Sequence, residues 1–127
     1  MLQKVAFTMY PVQDTDRARA FYEGTLGLTR GKYSPNGIWT EYDLPGGGCL
    51  ALFATDEIKP NANAGGSIAF EVEDLDELSA RLKHEDVRFK TYMIHSPVCR
   101  MAVILDSEGN PIILHELKKG GTTPEEV

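Results

Sequence analysis

Two side chains draw attention for what they could do. Glu41 stands in the apolar run "IWTEYDL" and His115 in "PIILHEL". A carboxylate and an imidazole brought to one point can move a proton next to a carbonyl, so the two are candidates for an acid–base pair. Each also has a plainer account, the carboxylate solvated at a strand edge and the histidine half in water at a strand end. Ser67 offers a hydroxyl, with space-filling by a small residue as its alternative. Cys99 follows Pro97, but no nearby histidine supports a nucleophile. "PGGGC" (45–49) joins two strand candidates and lacks the Lys and helix of a phosphate loop. "DSEGN" (106–110) is too short for a calcium loop and reads as a hairpin turn. His84 falls at the polar end of a helix candidate, and His95 near a strand end carries no assignment.

Whatever these residues do, regular elements must hold them. "KVAFTMY" (4–10) is rich in strand formers and ends before Pro11. Asp14 is placed to cap a helix in which Ala18, Phe21, Tyr22 and Leu26 share one face, with Gly27 as its stop. Strand candidates follow at 28–33, 38–44 and 49–54, separated by the turns "SPNG" and "PGGG". After the Gly/Asn-rich stretch 58–65, the same order returns. A strand spans 67–72, and Asp74 caps a helix with Leu75, Leu78 and Leu82 on one face. Strands then cover 87–95, 99–105 and 111–117. The spacing thus predicts one domain over 1–127. It divides into module one (about 1–57), a linker (about 58–65), module two (about 66–118) and a tail (119–127).

The halves overlay in sequence. Val12, Asp14, Asp16 and Ala20 repeat as Val72, Asp74, Asp76 and Ala80 at an offset of 60, and "GGCLALF" matches "GNPIILH" at 62. Identities alone could be chance, but the element order repeats with them, as a duplication would produce. One half alone would leave a sheet face bare, and pairing two halves, within or between chains, covers it.

On "VQDTDRARAFYEGTLGL", "SIAFEVEDLDEL" and "LDSEGNPIILHEL" the chain resembles the vicinal oxygen chelate superfamily of glyoxalases, bleomycin-resistance proteins and extradiol dioxygenases. The resemblance covers about residues 4–117. It implies an α+β fold of two βαβββ modules, whose curved mixed sheets form an open barrel-like cleft with the helices outside. Enzymes of the superfamily hold a divalent metal with side chains from the first and last strands of each module. The matching positions here are Phe7, Ala51, Ser67 and Ile113. Three have no donor atom and a Ser hydroxyl is a poor ligand for a transition metal, so no metal and no other cofactor is expected.

Those positions also fix strand parity. They turn Val5, Phe7 and Met9 toward the cleft, with Trp39, Glu41, Cys49, Ala51, Phe53, Ser67, Ala69, Glu71, Ile113 and His115. Ile38, Tyr42 and Leu44 fall under a helix. "RMAVIL" is apolar on both faces, so Arg100 and Met101 join the ligand-contacting set without a parity signal. The expected ligand-binding residues are Phe7, Met9, Trp39, Glu41, Phe53, Ser67, Arg100, Met101, Ile113 and His115. Apolar walls with a few polar points are the usual make-up of a small-molecule site.

Composition narrows the functions. At 127 residues, 42% apolar and 25% charged, the chain suits one globular domain. A net charge of -6 with no basic run longer than Lys118-Lys119 argues against nucleic acid. The opening "MLQKVAFTMYPV" has no signal-peptide pattern, no segment suits a bilayer, and Cys49 and Cys99 read as reduced thiols, so a cytoplasmic location is expected. The leading expectation is metal-independent binding of a small, largely apolar or aromatic molecule. One competitor is a glyoxalase-like lyase, isomerase or dioxygenase-type enzyme using non-standard metal ligands or the Glu41/His115 pair. Another is a regulatory module whose cleft receives a partner's segment. By resemblance, a homodimer is expected.

Overall fold

The computed structural model describes residue 1 and residues 3–118; the sequence-predicted tail lies outside them. The chain is α+β and forms two compact units. The first comprises Met1–Asn61 with Ser107–Asn110, and the second Ala62–Asp106 with the described residues from Pro111 to Lys118. In the first, β1 (Thr8–Val12) leads to α1 (Thr15–Arg19), a π-helical stretch (Ala20–Thr25), β2 (Arg30–Tyr33), β3 (Trp39–Asp43) and β4 (Cys49–Ala54). In the second, β5 (Ile68–Glu71) precedes α2 (Leu75–His84), β6 (Phe89–His95), β7 (Cys99–Leu105) and β8 (Pro111–Leu117). The sheet orders are β1-β4-β3-β2 and β5-β8-β7-β6, each with one parallel pair at its start and antiparallel pairs beyond it.

The ladders carry the sequence repeat into hydrogen-bond register. Thr8 lies opposite Leu50 in β1–β4, and Ile68 opposite Ile112 in β5–β8. Trp39 faces Phe53 in β3–β4, and Met101 faces His115 in β7–β8. Every one of these rungs is recovered by shifting the first strand by 60 and the third and fourth by 62, so the two sheets share a register as well as an order.

Both helices start as their sequences dictate. Asp14 and Asp74 adopt extended backbone, and each carboxylate accepts the N–H three residues on, from Arg17 and Glu77, at 3.0 Å. The helices then diverge. After Arg19 the first widens into the π turn, with Leu26 N–H bonding the Phe21 carbonyl at 2.9 Å, and Gly27 ends it at φ 76°. The wider turn carries consecutive Phe21 and Tyr22 into the core, their rings edge to face at 5.4 Å. Tyr22 stacks on Tyr42 at 5.9 Å, beside buried Tyr10, Val12, Leu50 and Leu52. In the second unit the core is aliphatic, with Leu75, Leu82, Ala102, Ile104, Ile112 and Leu114 buried. Ile38 corrects the parity expectation: it precedes β3 and is 44% exposed, because the ladder that would turn it under the helix begins only at Trp39.

Candidate functional site

Register decides which side chains share a face, and in each unit the expected residues within the ladders, Arg100 excepted, share the face turned away from the helix. In the first sheet Met9, Ala51 and Glu41 form one row and Phe53 and Trp39 the next. Phe7, just before β1, meets Trp39 edge to face at 5.3 Å, and Trp39 tilts against Phe53 at 5.9 Å. Phe7 is 46% exposed, and Met9, Trp39 and Phe53 are half-buried. The first pair is edge to face and the second tilted, and part of each ring's surface is exposed.

Glu41 is the polar point of this face, and it is engaged. Its Oε2 accepts the Trp39 indole N–H at 2.8 Å, while Cys49 Sγ lies 4.0 Å from Oε1. Burial first, then the charge of Glu41 and of Asp43, pushes the Cys49 thiol above its ordinary range, so the thiol is not an activated nucleophile. Cys99 is buried, with Sγ 3.1 Å from Ser96 Oγ, and both cysteines are free.

In the second sheet Ala69, Ile113 and Val103 form one row and Glu71, His115 and Met101 the next. His115 Nδ1 pairs with Glu71 Oε1 at 2.5 Å, and the other Glu71 oxygen accepts Leu117 N–H at 3.1 Å. His115 and Glu41 are therefore each held by a neighbour in their own unit. Glu71, which parity turned inward and which reads from sequence as solvated, is the partner that sequence alone did not supply. Its position gives the clue only once the parallel β5–β8 register is known. Ser67 is exposed, immediately before β5.

Arg100 departs from expectation. Its rung partner is Glu116, so it sits on the α2 side of the sheet, one residue out of phase with Met101. Its guanidinium bonds Glu116 at 2.8 and 3.0 Å and Asp76 of α2 at 3.1 Å. The same Glu116 accepts Leu75 N–H at 2.8 Å; that bond, then the one from Arg100, holds its carboxyl below the usual range. Arg100 anchors a helix, and its place in the ligand-contacting set is withdrawn.

The four corners implied by the superfamily resemblance do not fit a divalent ion. Phe7, Ala51 and Ile113 offer no donor, Ser67 offers one hydroxyl, and among the described residues no three His, Cys, Asp or Glu side chains gather as a metal requires. Two shallow depressions lie at the helix starts. One of about 510 Å³ lies between Gln13–Asp16 and Pro35–Gly37, and one of about 280 Å³ beside Val72–Asp74 and Arg81. No helix among the described residues is long and apolar enough to cross a membrane.

Comparison with known proteins accords with this architecture. Residues 4–114 match the family model described as Glyoxalase/Bleomycin resistance protein/Dioxygenase superfamily. Similar solved structures include a glyoxalase/dioxygenase from Nostoc punctiforme, at 22% identity, 92% coverage of each chain and a TM-score of 0.73. A lactoylglutathione lyase from Agrobacterium tumefaciens gives 22% identity, 91% of this chain, 94% of that one and a TM-score of 0.71. TnmS3, an antibiotic binding protein from Streptomyces sp. CB03234, gives 22% identity, 93% and 100% coverage and 0.71. At these identities the likeness is one of fold. No curated protein matches the sequence.

Proposed function

The chain belongs to the Glyoxalase/Bleomycin resistance protein/Dioxygenase superfamily, and from that premise we propose that it binds a small, largely apolar or aromatic molecule without a metal. The observation that carries this reading is the Phe7–Trp39–Phe53 cluster, whose central indole is oriented by Glu41. Three rings locked at fixed angles on a part-exposed sheet face form a preorganised apolar surface, and preorganisation lowers the entropic cost of binding. Phe7, Ala51 and Ile113, without donor atoms at three of the superfamily's four metal corners, support the metal-independent half of the proposal. The antibiotic binding protein among the structural neighbours supports a small-molecule-binding role in general.

Trp39 is the sole tryptophan, so its fluorescence tests the proposal directly. Aromatic compounds titrated into EDTA-dialysed protein should change the Trp39 emission saturably, and Phe7→Ala should weaken the apparent affinity by about tenfold, the worth of one lost ring contact. Binding that vanishes on chelation and returns with one equivalent of a divalent ion would overturn the metal-independent reading.

A further inference from the structure

The second unit carries a polar arrangement that the apolar reading leaves unused. Glu71 is fixed at both carboxylate oxygens, by His115 Nδ1 and by Leu117 N–H. An ionised carboxylate only accepts hydrogen bonds, so the proton of a neutral His115 resides on Nδ1. That leaves a lone pair on Nε2, for which the described residues provide no partner. The ring is 23% exposed in its side chain, and Met101 and Ile113 share its sheet face. A tautomer fixed from behind, with its outer nitrogen open and apolar neighbours around it, is the arrangement that gives an imidazole a defined accepting direction.

We propose that His115 Nε2, oriented by Glu71, is a recognition point for a hydroxyl donor on an apolar ligand, selecting phenols over their ethers. Glu71 is the positioning residue. The proposal goes beyond the binding reading: it concerns the second unit's own sheet face, which His115 shares with Met101 and Ile113, and its ligand must present an aromatic body bearing a free O–H. The bond would run from the ligand O–H to Nε2, with no proton transferred.

The test uses the full chain with 2-naphthol and 2-methoxynaphthalene as a matched pair. Side-chain ¹⁵N NMR should show His115 protonated at Nδ1. Adding 2-naphthol should move the Nε2 resonance, and 2-methoxynaphthalene should leave it in place. The phenol should bind about tenfold more tightly than the ether, the worth of one hydrogen bond, and His115→Phe should cut that preference below about twofold. In Glu71→Gln the amide can donate to Nδ1, so the tautomer should flip and the preference disappear, while Glu71→Asp should retain both. A His115 spectrum unchanged by Glu71→Gln, or a preference that survives His115→Phe, overturns the inference. If both probes change Trp39 emission but neither disturbs Nε2, this inference fails and the apolar reading stands. If neither probe binds at all, both fail.

Discussion

The core of the first unit stacks rings beside a buried phenol tied to an ion pair; the core of the second packs branched aliphatic side chains. Tyr42, fully buried, donates to Glu23 Oε2 at 2.8 Å, and Arg30 bonds both oxygens of the same carboxylate. The bonds from Arg30, opposed by burial and aided by Tyr42, hold the Glu23 carboxyl below its usual range. Burial and the Glu23 charge push the Tyr42 phenol upward. At the equivalent positions the second unit has Ile104 and no charge cluster. Arg19 donates twice to Thr40 Oγ1, at 2.9 and 3.0 Å. By the repeat offsets, Arg19 corresponds to Ser79 and Thr40 to Ala102. Ser79 Oγ is buried without a hydrogen-bond partner among the described residues. At these positions the first unit has a donor and an acceptor that satisfy each other, and the second has a hydroxyl and a methyl group. Two units can thus share one backbone register while differing in the chemistry beneath it.

The helix starts show the reverse, with one solution reached twice. Glu108 accepts the N–H groups of Gln13 and Asp14 at 3.0 Å and both Arg17 nitrogens at 2.6 and 2.9 Å. Glu116 plays this part in the second unit with Leu75 N–H and Arg100. In each, a carboxylate from elsewhere in the unit neutralises donors at the first turn while an arginine neutralises the carboxylate.

The largest expected effect probes the aromatic core. Tyr22→Ala should cost about 4 kcal/mol, against about 3 for Leu82→Ala in the aliphatic one. Urea unfolding followed by Trp39 emission and far-UV circular dichroism measures both, and equal costs would remove the distinction drawn between the cores. Next comes Glu108→Gln, expected to cost about 2 kcal/mol because it leaves charge-assisted bonds unmade. Burial raises the Glu108 pKa, but the bonds from Arg17, Asp14, Gln13 and Ser107 prevail and hold it at about 2, against 4.5 when unfolded. Its folded pKa being depressed, its stabilisation is present in full above about pH 4.5 and is lost as the pH falls through about 2. The variant should therefore show a shallower decline in stability across that window, and a slope equal to the parent's would remove Glu108 as its source. Tyr42→Phe should destabilise by about 1 kcal/mol, with Arg30 still satisfying Glu23; no change in the unfolding midpoint would mean the phenol bond contributes nothing. Ser79→Ala should act in the opposite direction and stabilise by about 1 kcal/mol, since it removes a buried hydroxyl without a partner among the described residues. A loss of stability there would show that Oγ has a partner after all.

Much of this was legible beforehand because it is local or periodic. Asp14 and Asp74 precede amphipathic runs and cap them, and the corner positions Ala51 and Ser67, implied by the superfamily resemblance, set the faces of β4 and β5. Arg100 was misplaced because "RMAVIL" is apolar on both faces and alternation has nothing to count. The π turn was hidden because Phe21 and Tyr22 are equally compatible with an ordinary helix. The Glu71–His115 pair spans 44 residues and depends on a parallel register that no local pattern encodes.

Every β-ladder closes inside one unit: β1–β4 and β5–β8 exchange no rungs. The chain between Ile58 and Gly65 is consequently a tether that crosses no sheet. A protease nick there would sever a single peptide bond and interrupt no strand pairing, which makes it the natural place to split the gene and ask whether two separately expressed pieces reassemble.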